Sequence, residues 1–154
     1  MIVKLKIPSG SVGITSTLQT MKILTERCQV EPRVHSLAET LADPLDSRAE
    51  EIREFVDELH RRFTYAPDPI GEYVSMPFEP GRVTVDADDA CVFVAALAVS
   101  VGIRCRFVAA RYGRSWTCFL EYEEADGKWT LVDPLRQKTD RSPDELVKGP
   151  VIGV

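Results

Sequence analysis

The sequence predicts an α+β fold in which N-terminal helices and one buried central helix pack on a small antiparallel sheet. Apolar residues recur every three to four positions through the first half of the chain, and every second position after Gly102. Between these regions lies the apolar stretch Ala90–Val101, whose one polar residue is Ser100. Helices that precede a block of strands are typical of the α+β class.

Three amphipathic helices are expected in the N-terminal half. In the first, apolar residues stand at positions 18, 21, 24 and 28. Pro32 lies at the start of the second helix, where proline is favoured, and Pro44 ends it. The third begins at Ser47-Arg48-Ala49-Glu50, which has the spacing of a capping box. The stretch 64–80 that follows holds four prolines, and it is predicted to be an ordered loop or extended segment and a candidate functional loop.

The central helix is predicted to be buried on every side, because apolar residues surround its whole circumference. Three carboxylates, those of Asp86, Asp88 and Asp89, lie at its start, where they suit the unpaired N–H groups and the positive end of the helix dipole. Gly102 is the expected stop. The same carboxylates are hard oxygen ligands. Helix capping accounts for them without an ion, so no metal and no cofactor is predicted.

Three strands are expected after the central helix. They cover Ile103–Ala109, Trp116–Tyr122 and Lys128–Val132, where the period of the apolar residues is close to two. Ala125-Asp126-Gly127 has the composition of a hairpin turn between the second and third strands. A last short helix is expected to begin at Ser142-Pro143-Asp144-Glu145.

Length and composition predict one domain that covers residues 1–154. Twenty-four acidic and nineteen basic residues give a formal charge of −5, which argues against a nucleic-acid binder that relies on overall positive charge. The longest apolar run falls short of the roughly 20 residues that span a membrane. The N-terminus lacks the apolar core and cleavage site of a signal peptide. A cytoplasmic location without membrane attachment is therefore expected.

The four cysteines, Cys28, Cys91, Cys105 and Cys118, lie among apolar neighbours. They form no Cys-x-x-Cys pair, so the sequence excludes a zinc ribbon and a thioredoxin-type motif. They are predicted to be buried free thiols in a reducing compartment.

Five segments, in order along the chain, resemble the transglutaminase-like domains of the papain-like thiol fold. Asp86-Ala87-Asp88-Asp89 resembles the family's Gly-Asp-Cys-Asp-Asp helix start, Val101–Val108 is similar to its following strand, and Trp129–Pro134 is similar to its Trp-x-x-x-Asp-Pro ending. Phe63–Glu72 and Gly13–Met21 resemble segments of a branch that is frequent in phages and prophages. The resemblance covers nearly the whole chain.

The resemblance implies a Cys–His–Asp site of which two members are substituted here. In the family, a cysteine at the start of the buried helix is the nucleophile, a histidine on a facing strand is its base, and an aspartate orients the imidazole. Ala87 stands in the nucleophile's position and Asp133 in that of the acid. The base position falls near Thr117, within Trp116–Cys118, where there is no histidine.

The favoured hypothesis is a catalytically inactive domain that acts by binding a partner protein. The resemblance suggests a virion or phage-assembly protein as the partner, and hence virion association as an alternative location. The former cleft is expected to be lined by Ala87, Trp116, Cys118 and Asp133. The only histidines, His35 and His60, lie in the predicted N-terminal helices, so neither is on the base strand.

A second hypothesis is an active cysteine hydrolase or transamidase. It requires either that Ala87 is an engineered replacement of a native cysteine, or that Cys91 is a displaced nucleophile. Cys91 lies one turn beyond Ala87 on the same helix face. The sequence offers no nearby base or positive charge that would lower the pKa of this thiol, and buried cysteines are usually inert.

A third hypothesis is a nucleic-acid or anion-binding module. Four arginines lie close together, with two aromatic residues between or beside them, and such groups bind phosphates and stack on bases. The residues concerned are Arg104, Arg106, Tyr112, Arg111, Arg114 and Trp116. The structural alternative is a solvated strand whose charges are balanced by Glu121, Glu123 and Glu124, and the acidic total favours it.

Overall fold

The computed structural model describes residues 5–6, 11–67, 73–112, 115–135 and 147–154. It confirms the predicted α+β class, with helices packed on an antiparallel sheet. The helices of the described part are α1 (Ser11–Gln29), α2 (Pro32–Ala42), α3 (Arg48–Arg62) and α4 (Ala87–Ser100). The longer strands are β5 (Cys105–Tyr112), β6 (Ser115–Glu123), β7 (Trp129–Val132) and β8 (Val147–Gly153). Four two-residue strands precede them: β1 (Leu5–Lys6), β2 (Thr64–Tyr65), β3 (Tyr73–Val74) and β4 (Thr84–Val85).

The N-terminal helices begin where the sequence signals predict. Pro32 is the first residue of α2. At the start of α3, the Ser47 side chain accepts a hydrogen bond from the Glu50 N–H at 3.2 Å. The Glu50 carboxylate accepts one from the Asp46 N–H at 3.3 Å. In a capping box this carboxylate accepts from the N–H of the N-cap residue itself. Here it accepts from the residue before the N-cap Ser47, a backbone N–H that has no partner within the helix.

Helix α4 is the buried centre of the molecule, as its composition predicts. Every residue from Asp88 to Ala98 is buried. Asp86 caps the helix, because its side chain accepts a hydrogen bond from the Asp89 N–H at 3.0 Å. At the other end Gly102 adopts a positive φ of +84°, a conformation that glycine takes without steric cost, and the chain turns into β5.

The four long strands form one antiparallel sheet in the order β7-β6-β5-β8. Helices α1 and α4 pack against it. On this helix-side face, alternate residues of β5 and β6 join the main core, among them Phe107, Ala109, Cys118 and Leu120. Gly127 supplies the positive φ of the predicted β6–β7 turn.

Strand β8 was not among the predicted strands. It pairs with β5, with Val151 opposite Val108, and the register shifts between Val108 and Ala110. The segment contains Gly149 and Pro150, two residue types that are depleted in strands. They are tolerated here because β8 is an edge strand with an irregular register. The helix start predicted at 142–145 lies outside the described residues.

The segment predicted as an ordered loop, 64–80, holds short strands in its described parts. β2 pairs with β4 in parallel, and β1 pairs with β3 in antiparallel fashion. Phe78 stacks on Phe93 of α4, with ring centroids 4.7 Å apart, and Phe63 meets the same ring edge-on at 5.4 Å. The described residues of this segment are therefore fixed against α4 by aromatic packing.

No helix in the described ranges is both long and apolar enough to cross a lipid bilayer.

The aromatic contact predicts a large loss of stability in F93A. Phe93 is fully buried between two other rings, so its truncation should lower the free energy of unfolding by about 3–5 kcal/mol. The measurement is urea denaturation followed by circular dichroism. V30A, at a residue that is 74% exposed, is the control and should stay within about 0.5 kcal/mol of the wild type. Equal losses in the two variants would contradict this packing.

Candidate functional site

The candidate site lies where the start of α4 meets the start of β6. The end of α4 leads into β5, which turns back into β6, so β6 runs alongside α4 in the same direction. The Cys91 thiol donates a hydrogen bond to the Cys118 carbonyl oxygen at 3.6 Å, which fixes the two elements against each other. Ala87 is one helical turn before Cys91, and Trp116 is two strand residues before Cys118. Four residues of a helix and two residues of a strand each advance the chain by roughly 6 Å. Ala87 therefore lies toward the Trp116 end of β6.

The alternation of side chains places neighbouring residues of β6 on opposite faces of the sheet. Cys118 and Leu120 belong to the helix-side core, so Trp116 shares their face and Thr117 points away from α4. The residue of β6 nearest Ala87 on the shared face is therefore Trp116. The assignment of Thr117 to the base position rests on the resemblance and stays a prediction.

Asp133 joins this group from the end of β7. Val132 pairs with Leu120, so Asp133 follows directly beside β6. Its carboxylate accepts a hydrogen bond from the Leu135 N–H at 3.0 Å. Its charge also reaches Cys91, since it is one of the causes that raise the pKa of that thiol. The described contacts thus bring Cys91, Cys118 and the charge of Asp133 together, and the spacing of helix and strand residues places Ala87 and Trp116 toward the same end of the α4–β6 contact.

Neither histidine of the chain is on the strands of this site. His35 in α2 lies 3.2 Å from the carboxylate of Glu39 on the same helix. The Nε2–H of His60 in α3 donates to the Pro134 carbonyl oxygen at 2.8 Å, next in sequence to Asp133. Both rings are held by partners other than a thiol.

Both thiols of the site are buried, and that of Cys91 is weakly acidic. Cys91 is fully buried, and this burial, followed by the charges of Asp88, Asp133, Asp86 and Asp89, holds its pKa well above the ordinary value. Nothing in this set of contributions favours the thiolate.

Two thiols outside the site, those of Cys28 and Cys105, are also buried and weakly acidic. Burial raises the pKa of Cys28 and Cys105 to about 12. The Cys118 thiol lies 3.6 Å from the Met21 sulfur. All four cysteines fall in the described part, and none forms a disulfide, as the sequence predicts.

The carboxylate of Asp89 is bound by a network that the sequence alone did not reveal. It accepts hydrogen bonds from the Ser75 N–H at 3.0 Å and hydroxyl at 3.3 Å, and it forms an ion pair with Arg82. Arg82 also donates to the carbonyl oxygens of Met76 and Thr84 at 3.1 and 2.9 Å. Burial raises the pKa of the Asp89 carboxyl, which Arg82 and the Ser75 N–H oppose. The network ties the residues before α4 to its first turn.

The acidic start of α4 is used for contacts within the chain. Asp86 caps the helix, and Asp89 binds Arg82 and Ser75. In the described ranges, the structure contains no group of three His, Cys, Asp or Glu side chains that could hold a metal ion.

Two of the four predicted arginines are paired on the opposite face of the sheet. Arg106 bonds to the buried Glu121 at 2.6 Å, and Arg104 bonds to Glu123 at 3.2 Å. Both guanidinium groups lie over the Trp129 ring, at 4.2 and 5.9 Å from its centroid. The positive charges of Arg104 and Arg106 are thus balanced by glutamates of the neighbouring strand β6. A charge-balanced strand surface of this kind was the alternative to an anion-binding site. Arg114 and the side chain of Tyr112 lie outside the described part.

Comparison with known proteins extends the picture of the fold. No protein-family model and no curated protein matches the sequence. Two solved structures do match: a "putative cysteine protease" from Cytophaga hutchinsonii, with a TM-score of 0.63 and 16% identity, and a "putative protease" from Parabacteroides distasonis, with a TM-score of 0.58 and 15% identity. The chain shares its fold with the matched regions of these two structures.

The matched regions are unequal parts of the proteins. They cover 77% and 75% of this chain but 41% and 26% of the two structures, so this chain spans less than half of either. At these identities the likeness shows the fold alone.

The network around Asp89 predicts that D89N is strongly destabilising. The substitution removes the charge that compensates Arg82, and breaking a buried ion pair in this way costs about 3–5 kcal/mol. Urea denaturation measures the loss, and hydrogen exchange should show faster opening of residues 73–85. D43N removes an exposed carboxylate at the end of α2 and is the matched control. An unchanged exchange rate at 73–85 in D89N would argue against the proposed tie.

Proposed function

We propose that this chain is a catalytically inactive transglutaminase-like domain that acts by binding a partner protein. The observation that carries the proposal is the alanine at residue 87, the first residue of α4 and the position that the resemblance gives to the nucleophile. A methyl group cannot attack an acyl carbon, and the lost nucleophile removes the covalent route by itself.

The base position supports the same conclusion. A general base must accept a proton within hydrogen-bond reach of the nucleophile. The indole of Trp116 can only donate, and the His60 Nε2 is engaged with a backbone carbonyl oxygen. Asp133 alone retains the residue type of the family's site, and an aspartate without an imidazole has nothing to orient.

The surface beside the helix start supports a binding role. Tyr65 of β2 and Val83, which precedes β4, are 50% and 65% exposed, and β4 leads directly into α4. Trp116 is 43% exposed at the other side of the site. Aromatic side chains exposed beside a cleft are typical of protein interfaces. The resemblance to a phage and prophage branch makes a virion or assembly protein the proposed partner, with the domain acting in the cytoplasm or on the particle.

The inactive state predicts four slow cysteines. Because burial raises the pKa of Cys28 and Cys105 to about 12, their thiolate fraction near pH 8 should be about a thousandfold below that of a free thiol. The measurement is alkylation by iodoacetamide between pH 6 and pH 10, followed at each cysteine by mass spectrometry, with glutathione as the reference. One cysteine that reacts in the folded protein with an apparent pKa below that of glutathione would overturn the proposal and identify Cys91 or another thiol as a nucleophile.

Restoring the missing groups should restore thiol reactivity in two steps. The thiol introduced by A87C should alkylate faster than any native cysteine, because residue 87 is partly exposed at a helix start whereas the native thiols are buried. In A87C/W116H the apparent pKa of that thiol should fall by about one unit or more, because a nearby imidazolium stabilises the thiolate.

The control for this experiment uses the other face of the strand. In A87C/T117H the new imidazole would point away from α4, so the pKa of the introduced thiol should stay as in A87C. An equal fall in both double variants, with folding confirmed by circular dichroism, would contradict the placement of Trp116 opposite Ala87.

A further inference from the structure

The indole of Trp116 packs across strand β5 against strand β8. Trp116 pairs with Arg111 of β5, and its ring reaches across that strand to Gly149 of β8. A Cβ added to Gly149 would lie 2.5 Å from Cζ3 and 2.9 Å from Cη2 of the indole. Both distances are shorter than van der Waals contact between carbon atoms, so a side chain at residue 149 would clash with the ring. The same added Cβ would lie 3.2 Å from the Ala109 carbonyl oxygen of β5. The position of the ring therefore depends on the absence of a side chain at residue 149.

The supported ring is still open to the outside, and a cation lies beside it. The side chain of Trp116 is 43% exposed. The Arg111 guanidinium, on the adjacent strand and the same face, lies 5.9 Å from the ring centroid. Arg104 and Arg106 are neutralised by glutamates, whereas no carboxylate of the described ranges lies within ion-pair distance of Arg111. The surface combines an aromatic face with a positive charge that no carboxylate of the described ranges pairs with.

Such a pair is suited to protein recognition. Tryptophan and arginine are enriched among residues that dominate binding energy. A ring that is already immobilised loses little conformational entropy on binding. The other side of the site carries the carboxylates of Asp86 and Asp133, so an anionic group of a ligand is attracted to Arg111 and repelled from the start of α4. The charges thus define one orientation for a bound group.

We propose that Trp116 and Arg111 bind a peptide segment of the partner that presents a carboxylate beside an aromatic ring. The ring stacks on the exposed face of the indole, and the carboxylate pairs with the guanidinium. This inference rests on the proposed function, because it assigns the contact through which the inactive domain holds its partner. No covalent step is involved.

The test is a titration of ¹⁵N-labelled protein with two matched probes, N-acetyl-phenylalanine and N-acetyl-phenylalaninamide, which differ in one negative charge. The chain has two tryptophans, so the indole N–H signals are assigned with W129F. The Trp116 signal should shift and approach saturation below about 20 mM, since small ligands gain little energy per atom. The acid should bind up to about fivefold more tightly than the amide, the range of an exposed ion pair.

Three variants separate the contributions of the two residues. In R111Q the acid should bind no better than the amide. R104Q, which removes a paired arginine on the opposite face, is the matched control and should leave both affinities unchanged. G149A should displace the ring and weaken both probes. The melting temperature of each variant shows whether it is folded.

Two results would overturn the inference. One is a Trp116 signal that does not shift with either probe in the folded wild type, and the other is an equal affinity for acid and amide. Neither result concerns the reactivity of the thiols, so a failure here leaves the inactive site standing. Conversely, a fast-alkylating cysteine would remove the proposed function without changing the outcome of the titration.

Discussion

The burial of α4 from Asp88 to Ala98 is the constraint on which the rest of the structure depends. Three helices and two strands of the sheet pack around it, so every polar group at its ends must find a partner inside the protein. Its first turn brings Asp88 and Asp89 into the interior with it. Arg82 and the described residues around it are held against α4 because they neutralise and hydrogen-bond Asp89. The burial of α4 thereby also positions Ser75 and Arg82 beside the start of the helix.

Those elements whose signals are local could be predicted from the sequence. Pro32, the Ser47 cap and Gly102 mark helix boundaries through interactions within a few residues, and the change of apolar period locates β5 to β7. β8 was not predicted because Gly149 and Pro150 interrupt the alternation of apolar residues. Its strand conformation becomes evident only from its pairing with β5. The ion pair between Arg82 and Asp89 was not predicted because a contact between a loop residue and a helix residue produces no periodic pattern in the sequence.

The motifs of the sequence propose residues for the candidate site, but they do not give its geometry. Ala87 and Asp133 are proposed through the motifs that contain them, and the charge of Asp133 acts on Cys91, one helical turn from Ala87. Which residue of β6 faces α4 depends on strand register, and a displacement by one residue moves a side chain to the other face of the sheet. Trp116 and Thr117 are therefore equivalent in the sequence and opposite in the structure.

In the proposed inactive site, the two substitutions are physically linked. Burial, followed by the charges of Asp88, Asp133, Asp86 and Asp89, raises the pKa of Cys91, and three of these aspartates lie within two residues of residue 87 in the sequence. A thiolate at that position needs a compensating cation, which an imidazolium supplies in a thiol–imidazole pair. Once the base is absent, a cysteine there is a protonated thiol among carboxylates, and alanine loses nothing by replacing it. The aspartates that cap and tie α4 are then kept for stability, and the strand position freed from proton transfer is open to a residue that binds.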